Sequence, residues 1–243
     1  MITSKNNEEI KRINSLKEKK YRAVYGEYIA EGIKPVREAI SSGAEVVKII
    51  RDPDCKAENF CAEKTLEVSR EVFQKLSEEI SPQGILAVLK IPSETKKVAD
   101  GRCLLLDGIS DPGNLGTIIR TANAAGYTDI WLRNCADPYS PKCVRASMSG
   151  IFFVRLFSAE GDVSEIFSGI PLICADMNGE NVFKFSAPDK FCLVIGNEAN
   201  GVTREVREMC RYTVKIPMRA SCESLNAAVS AGILMYLLGD FNT

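Results

Sequence analysis

No histidine occurs anywhere in the 243 residues. That absence removes the commonest zinc ligand and the commonest general base together. A Ser-His-Asp triad and a histidine-activated cysteine are both excluded. The chain also contains no G-x-G and no G-K-S/T, so the Rossmann fingerprint and the P-loop are missing. Cysteine is plentiful, nine in all, but the number is odd and no C-x-x-C pair exists. Cys103, Cys174 and Cys192 sit in apolar runs, where free cysteine behaves as a small hydrophobe. Long apolar runs are lacking too: the longest, near Ile233 to Leu238, is far short of a membrane span. The opening Met1-Ile2-Thr3-Ser4-Lys5 leads into a charged segment, not an apolar one, so no signal peptide, no membrane and a cytoplasmic location are expected. A net charge of −1 gives no global pull on nucleic acid. Any such binding must come from a local patch.

What is present centres on Phe191 to Leu238. Five apolar residues, Phe191 to Ile195, run straight into Gly196-Asn197-Glu198, the pattern of a doubly buried strand ending where backbone must approach something closely. A second β-rich run, Tyr212 to Ile216, ends at Pro217-Met218, and a polar loop reaches Ser224, which suits the N-cap of a last helix. In open α/β sheets, ligands bind at such an edge. The last helix is apolar on every side: Leu225, Val229, Gly232 and Tyr236 share one face, and Ala227, Leu234 and Leu238 the opposite one. It therefore needs a second cover besides its own sheet, either a subunit interface or, in a monomer, a central position in the core.

Along the chain, residues 6 to 20 read as one basic helix with Ile10, Ile13 and Leu16 as a thin apolar stripe. Lys5, Lys11, Arg12, Lys17, Lys19, Lys20 and Arg22 outnumber Glu8, Glu9 and Glu18 there. RNA contact and a solvated helix face both account for that excess. Tyr28 to Ala30 and Glu45 to Ile50 read as strands, with a helix from Ile33 closed at Gly43. Asn59 to Lys64 reads as helical, Thr65 to Val68 as a short strand, Glu71 to Glu78 as a helix and Gly84 to Ile91 as a buried strand. Residues 1–91 thus form a small α/β domain. Pro92 to Gly101, polar with proline and glycine at its ends, is a linker. From residue 102 to 243 strands and helices alternate. Strands are expected at Cys103–Leu106, Asp129–Leu132, Phe152–Leu156 and Leu172–Ala175, with helices at 114–125, 141–148 and 163–167. That alternation predicts a mainly parallel sheet with helices on both faces.

Asp107 to Gly116, DGISDPGNLG, follows the first strand of this second region. In the helix it opens, Leu115, Ile118, Ile119, Ala122 and Ala125 form the buried stripe, and Arg120 lies roughly 140° from Leu115. Alone, Arg120 reads as a surface cation. With Asn114, Glu198 and Asn226 on neighbouring loops it reads as an anion-binding or catalytic arginine.

These segments carry a resemblance. DGISDPGNLGTIIRTA (Asp107 to Ala122), IGNEANG (Ile195 to Gly201), and IPM with SLNAA (Ile216 to Met218, Ser224 to Ala228) resemble the three ordered motifs of the SpoU (TrmH) family of RNA ribose methyltransferases. The opening forty residues resemble the RNA-binding domain of its ribosomal RNA branch. The match covers nearly the whole chain. One departure is Ala220, where many relatives have glycine, which stiffens that loop but removes no functional side chain.

The resemblance implies an S-adenosylmethionine-dependent enzyme that methylates a ribose 2′-hydroxyl, most readily in 23S ribosomal RNA. A tRNA substrate, a base methyltransferase and a catalytically silent RNA-binding protein are the alternatives. It implies a SPOUT fold with a deep trefoil knot in the C-terminal domain, a ribosomal-protein-like N-terminal domain, a homodimer through the last helix, and no metal. By position, Asn114, Arg120, Glu198, Ser224 and Asn226 are catalytic. Gly196, Ile216, Met218 and Leu225 hold the cofactor, and Lys11, Arg12, Lys19, Lys20 and Arg145 are assigned to RNA. Arg120 is expected to bind the adjacent phosphate and stabilise the developing alkoxide, oriented by Glu198.

Overall fold

The computed structural model describes residues 1–57, 60, 62–93, 98–222 and 224–239. It resolves two compact units: Met1–Ser93 with Asp137–Phe152, and Glu94–Ala136 with Phe153–Thr243. Alternation alone puts 137–152 with the C-terminal region. Its side chains pack into the first unit: Asp137 takes a buried ion pair from Arg22 at 2.6 Å and Tyr139 packs on Tyr28.

In the first unit, α1 (Glu8–Ser15) and α2 (Lys19–Tyr25) precede β1 (Glu27–Glu31), α3 (Ile33–Ser41), β2 (Val46–Arg51), β3 (Thr65–Glu67), α4 (Arg70–Leu76) and β4 (Ile85–Lys90). The sheet order is β1-β4-β2-β3, with β4 antiparallel to both neighbours. Ile10, Ile13 and Leu16 pack with Val72, Phe73 and Leu76 of α4 over Leu86 and Val88 of β4. The expected single helix over 6–20 is two helices, broken after Ser15 because the apolar stripe ends at Leu16; α2 then ends on left-handed Gly26 at φ 62°. Of the helix expected at Asn59–Lys64, Asn59 and Cys61 lie outside the described residues and Ala62–Lys64 is one 3₁₀ turn. Residues 94–97 of the expected linker also lie outside them.

The second unit contains β5 (Arg102–Asp107), α5 (Pro112–Ala124), β6 (Asp129–Arg133), β7 (Arg155–Ser158), α7 (Val163–Ile166), β8 (Leu172–Asn181), β9 (Phe191–Gly196), α8 (Arg204–Met209), β10 (Tyr212–Lys215) and α9 (Ala227–Leu238); α6 (Pro141–Ala146) belongs to the first unit. All six strands are parallel, in the order β10-β8-β9-β5-β6-β7. One face buries Cys103, Leu105, Trp131, Cys174, Cys192, Val194 and Val206 together. On the other, α9 packs against both α5 and β9. Strand β7 starts three residues later than expected, because Gly150–Phe152 is a 3₁₀ turn, and β8 runs on to Asn181 beside β10. Helix α8, REVREM, is charged on most of its surface with only Val206 buried, and lies outside the expected elements. The cap of α9 is Asn226, not Ser224: its Oδ1 accepts from the amides of Ala228 and Val229.

Candidate active site

Strand order reverses between β5 and β9, while the strands stay parallel: β6 and β7 lie to one side of β5, β9 and β8 to the other. Ligands bind outside the carboxyl ends of strands at such a switch point. Here the two strand ends are level, Asp107 paired with Gly196. Asp107 is fully buried and its Oδ2 accepts the amide of Thr203 at 2.8 Å. Asn197 ties the two loops, donating from Nδ2 to Gly108 O at 2.8 Å while its Oδ1 accepts from Ala199 N. Gly196 has no room for a side chain, since a Cβ there would lie 2.2 Å from Gly201 C and 2.3 Å from Val202 N. Asp107 and Asn197 lie within the sequence motifs, which assign them no chemical role. Their role is to hold the loops.

Over these loops lies an open cavity of about 140 Å³. Ile195, Gly196, Glu198, Ile216, Met218, Ser224, Leu225 and Leu234 border it, with Asp176 and Lys215 adding charge. All four residues assigned to the cofactor therefore face one cavity. Its mouth carries a chain of side-chain hydrogen bonds across three loops. Asn226 Nδ2 donates to Asn114 Oδ1 at 3.0 Å, and Asn114 Nδ2 donates to Glu198 Oε1 at 2.5 Å. The Asn114 amide also donates to Asp111 Oδ1, the N-cap of α5. Both ends of the Asn114 carboxamide are thus committed, which fixes its orientation.

Arg120 stands apart. It is exposed, does not border the cavity, and its side chain makes no hydrogen bond or ion pair among the described residues. Six residues beyond Asn114, it is about 9 Å along the helix and turned about 120° away. Within this chain Glu198 is hydrogen-bonded to Asn114 instead of the expected Arg120. The nearest thiol to the motif loop, Cys135, donates to Leu106 O, and burial pushes its pKa up to about 11. It is no candidate for a base near neutrality. Among the described residues no cluster of three or more acidic or cysteine side chains could hold a metal ion, and no helix is long and apolar enough to cross a membrane.

The residues assigned to RNA divide. Lys11, Lys19 and Lys20 are exposed. Arg12 is bound to Glu27 at 2.6 Å, and Arg145 to Glu79 at 2.8 Å. Burial pushes the Glu27 carboxyl up, but hydrogen bonds from Lys90 and Arg12 outweigh it and hold the group below its usual range. Arg12 is therefore already spent on an internal partner.

Comparison with known proteins agrees with this geometry. The model of the SpoU rRNA Methylase family matches residues 101–236, over half of the chain. The chain belongs to the SpoU rRNA methylase family. An MRM3-like substrate binding domain matches residues 7–87. Among SpoU relatives, the chain is 32% identical to the 23S rRNA (guanosine(2553)-2'-O)-methyltransferase RlmP of Bacillus subtilis, over 98% of each chain. It is 30% identical to the 23S rRNA (uridine(2479)-2'-O)-methyltransferase of Streptomyces viridochromogenes, over 87% of this chain and 82% of that one. Its fold superposes on the AdoMet-bound rRNA methyltransferase from Sinorhizobium meliloti with a TM-score of 0.86 at 27% identity, covering 97% and 95% of the two chains.

Proposed function

We propose that this SpoU protein is an S-adenosylmethionine-dependent methyltransferase acting on a ribose 2′-hydroxyl of ribosomal RNA. The observation that carries the reading is the Asn226–Asn114–Glu198 chain at the mouth of a cavity bordered by Gly196, Ile216, Met218 and Leu225. The lining fits the cofactor: Ile195, Ile216, Leu225 and Leu234 offer apolar walls to a purine, and Gly196 exposes backbone where a side chain cannot stand. When bound, the cofactor supplies an electrophilic methyl group on sulfur.

The chain's own residues do the rest. Charge disappears in transfer from a sulfonium to an oxygen, so alignment in a dry site counts for more than charge stabilisation of the methyl. Holding the atoms in a near-attack pose is worth roughly 7–11 kcal/mol. Asn114 and Asn226, locked to each other, position the ribose, and Ser224 borders the same opening. Arg120 binds the adjacent phosphate and stabilises the alkoxide. Since Arg120 does not face its own cavity, substrate or a second copy must bring it there. A homodimer supplies that copy. In its support, α9 buries Ala228, Ala231, Leu234 and Met235 but leaves Val229, Tyr236 and Leu237 exposed beside α5. The trefoil knot belongs to the same proposal, with the chain from β9 crossing β8 to reach β10 at the sheet edge. So do a cytoplasmic location and RNA binding by residues 1–91.

Mapping 2′-O-methyl marks on ribosomal RNA from cells with and without the gene tests the reading. One mark should vanish and return with the wild-type gene but not with Asn114→Ala. An unchanged ribose map beside a lost base mark would reassign the enzyme to base methylation.

A further inference from the structure

Helix α2, KKYRAVY, is inside out. Its one buried residue is Arg22, 4% exposed, while Val24 is 66% and Tyr25 37% exposed and Ala23 also faces outward. A surface helix ordinarily does the reverse. The arginine is fully engaged: Nε and Nη2 donate to Asp137 Oδ2 at 2.9 and 2.6 Å, and Nη1 to Leu16 O at 2.7 Å. Folding of this unit therefore accounts for the buried charge. It does not account for the apolar residues turned outward.

Those residues are arranged. The rings of Tyr21 and Tyr25, one turn apart, are stacked with centroids 6.4 Å apart and planes 17° from parallel. Lys20 Nζ lies 5.7 Å from the Tyr21 centroid and the Arg12 guanidinium 5.5 Å from that of Tyr25. Glu27 holds that guanidinium at 2.6 Å and offsets its charge. Lys19 and Lys20 stay exposed at the start of the same helix.

We infer that the Tyr21–Tyr25 pair is a stacking ledge for unpaired bases of single-stranded RNA, with Lys19 and Lys20 taking the phosphates. The inference rests on the reading of this protein as an RNA-modifying enzyme, and narrows its substrate to a loop or single strand. A protein partner covering the rings would have to bury the lysines with them. An unpaired strand supplies a π face for each ring and an anion for each ammonium. In a duplex the base faces are covered by their neighbours, so only unstacked bases can reach the rings.

The full-length protein is titrated with a labelled oligoadenylate of about 12 nucleotides and with an RNA duplex of equal length, at several salt concentrations. The pair Tyr21→Ala/Tyr25→Ala should weaken single-strand binding by roughly 30-fold or more. It should spare the duplex and leave the salt dependence of binding unchanged, because no phosphate contact is lost. Tyr21→Phe/Tyr25→Phe should stay within about threefold of wild type, since stacking needs the ring and not the hydroxyl. Alanine variants that bind the single strand as wild type does, or that lose strand and duplex equally, overturn the ledge. So does a change in molecular mass by light scattering with RNA affinity intact, which would assign the face to a second copy. Methyl transfer read in parallel separates the two claims. Binding through the rings without transfer to ribose refutes the enzyme reading alone, and transfer with indifferent rings refutes the ledge alone.

Discussion

Replacing Gly196 with alanine inserts one methyl group where two backbones already meet. The new Cβ would lie 2.2 Å from Gly201 C, 2.3 Å from Val202 N and 2.5 Å from Gly201 O. Carbon contacts are comfortable at about 3.5 Å or more, so the backbone must separate by over about 1 Å. No flexible side chain can yield in its place. The 197–201 loop is held by the paired bonds Asn197 N to Gly201 O and Gly201 N to Asn197 O, by Asn197 Nδ2 to Gly108 O, and by Thr203 N to Asp107 Oδ2. Losing two to four of these at about 1 kcal/mol each gives a destabilisation of roughly 2–4 kcal/mol. Glu198 travels with the loop, so Asn114 loses its partner as well. Urea unfolding, calorimetric titration with S-adenosylmethionine and single-turnover methyl transfer read the three consequences, and all three should fall. Gly169→Ala is the control: nothing lies within 4 Å of its Cβ, and its stability should stay within about 0.5 kcal/mol of wild type. Gly179→Ala, whose Cβ would meet Val214 N and C at 2.6 Å, should lose stability by disturbing β8 against β10 while the Asn114–Glu198 bond persists. A Gly196→Ala protein with wild-type unfolding midpoint and cofactor affinity would refute the close-approach argument.

Two further outcomes are expected. With no histidine in the chain and the Cys135 thiol lifted to about 11, the single-turnover rate should rise with pH between about 6 and 8 without a plateau; Arg120→Lys should keep the slope if Arg120 only binds phosphate, and a new plateau at pH 10 or below would make Arg120 the base. Leu237→Glu, at a position 40% exposed on α9, should shift light scattering from a dimer to the 26.7 kDa chain and lower methyl transfer, whereas an active wild-type monomer of that mass would remove the dimer from the proposal.

How much of this was legible in the sequence depended on whether a feature is a run or a meeting. The β5 and β9 strands are unbroken apolar runs, Leu104–Leu106 and Phe191–Ile195, and burial on both faces leaves no other reading. The cavity was legible because Gly196, Ile216, Met218 and Leu225 follow strand ends or precede the last helix, and parallel strands bring such positions to one edge. The expected strand stops at Ala175 because the rest of β8, from Asp176 onward, is mostly polar and its end is held by β10, a partner over thirty residues away that no local pattern reveals.

The partner of Glu198 and the cover of Arg22 were illegible for the same reason. An exposed arginine near a carboxylate in a motif reads as its partner, but helical geometry turns Arg120 away from the loop where Asn114 stands. In α2, composition showed a basic segment, and a basic segment reads as a solvated or RNA-facing helix with every cation outward. The ion pair of Arg22 with Asp137, 115 residues distant, rotates the helix so that the arginine goes in and the tyrosines come out. Breaking a buried pair by removing one partner costs about 3–5 kcal/mol, more than the exposed Val24 and Tyr25 would recover by burial at about 1.5–3 kcal/mol each for the fraction they could cover. The orientation of α2, and with it the exposure of its tyrosine pair, is therefore set by a residue in the segment after β6, not by the charges of the helix itself.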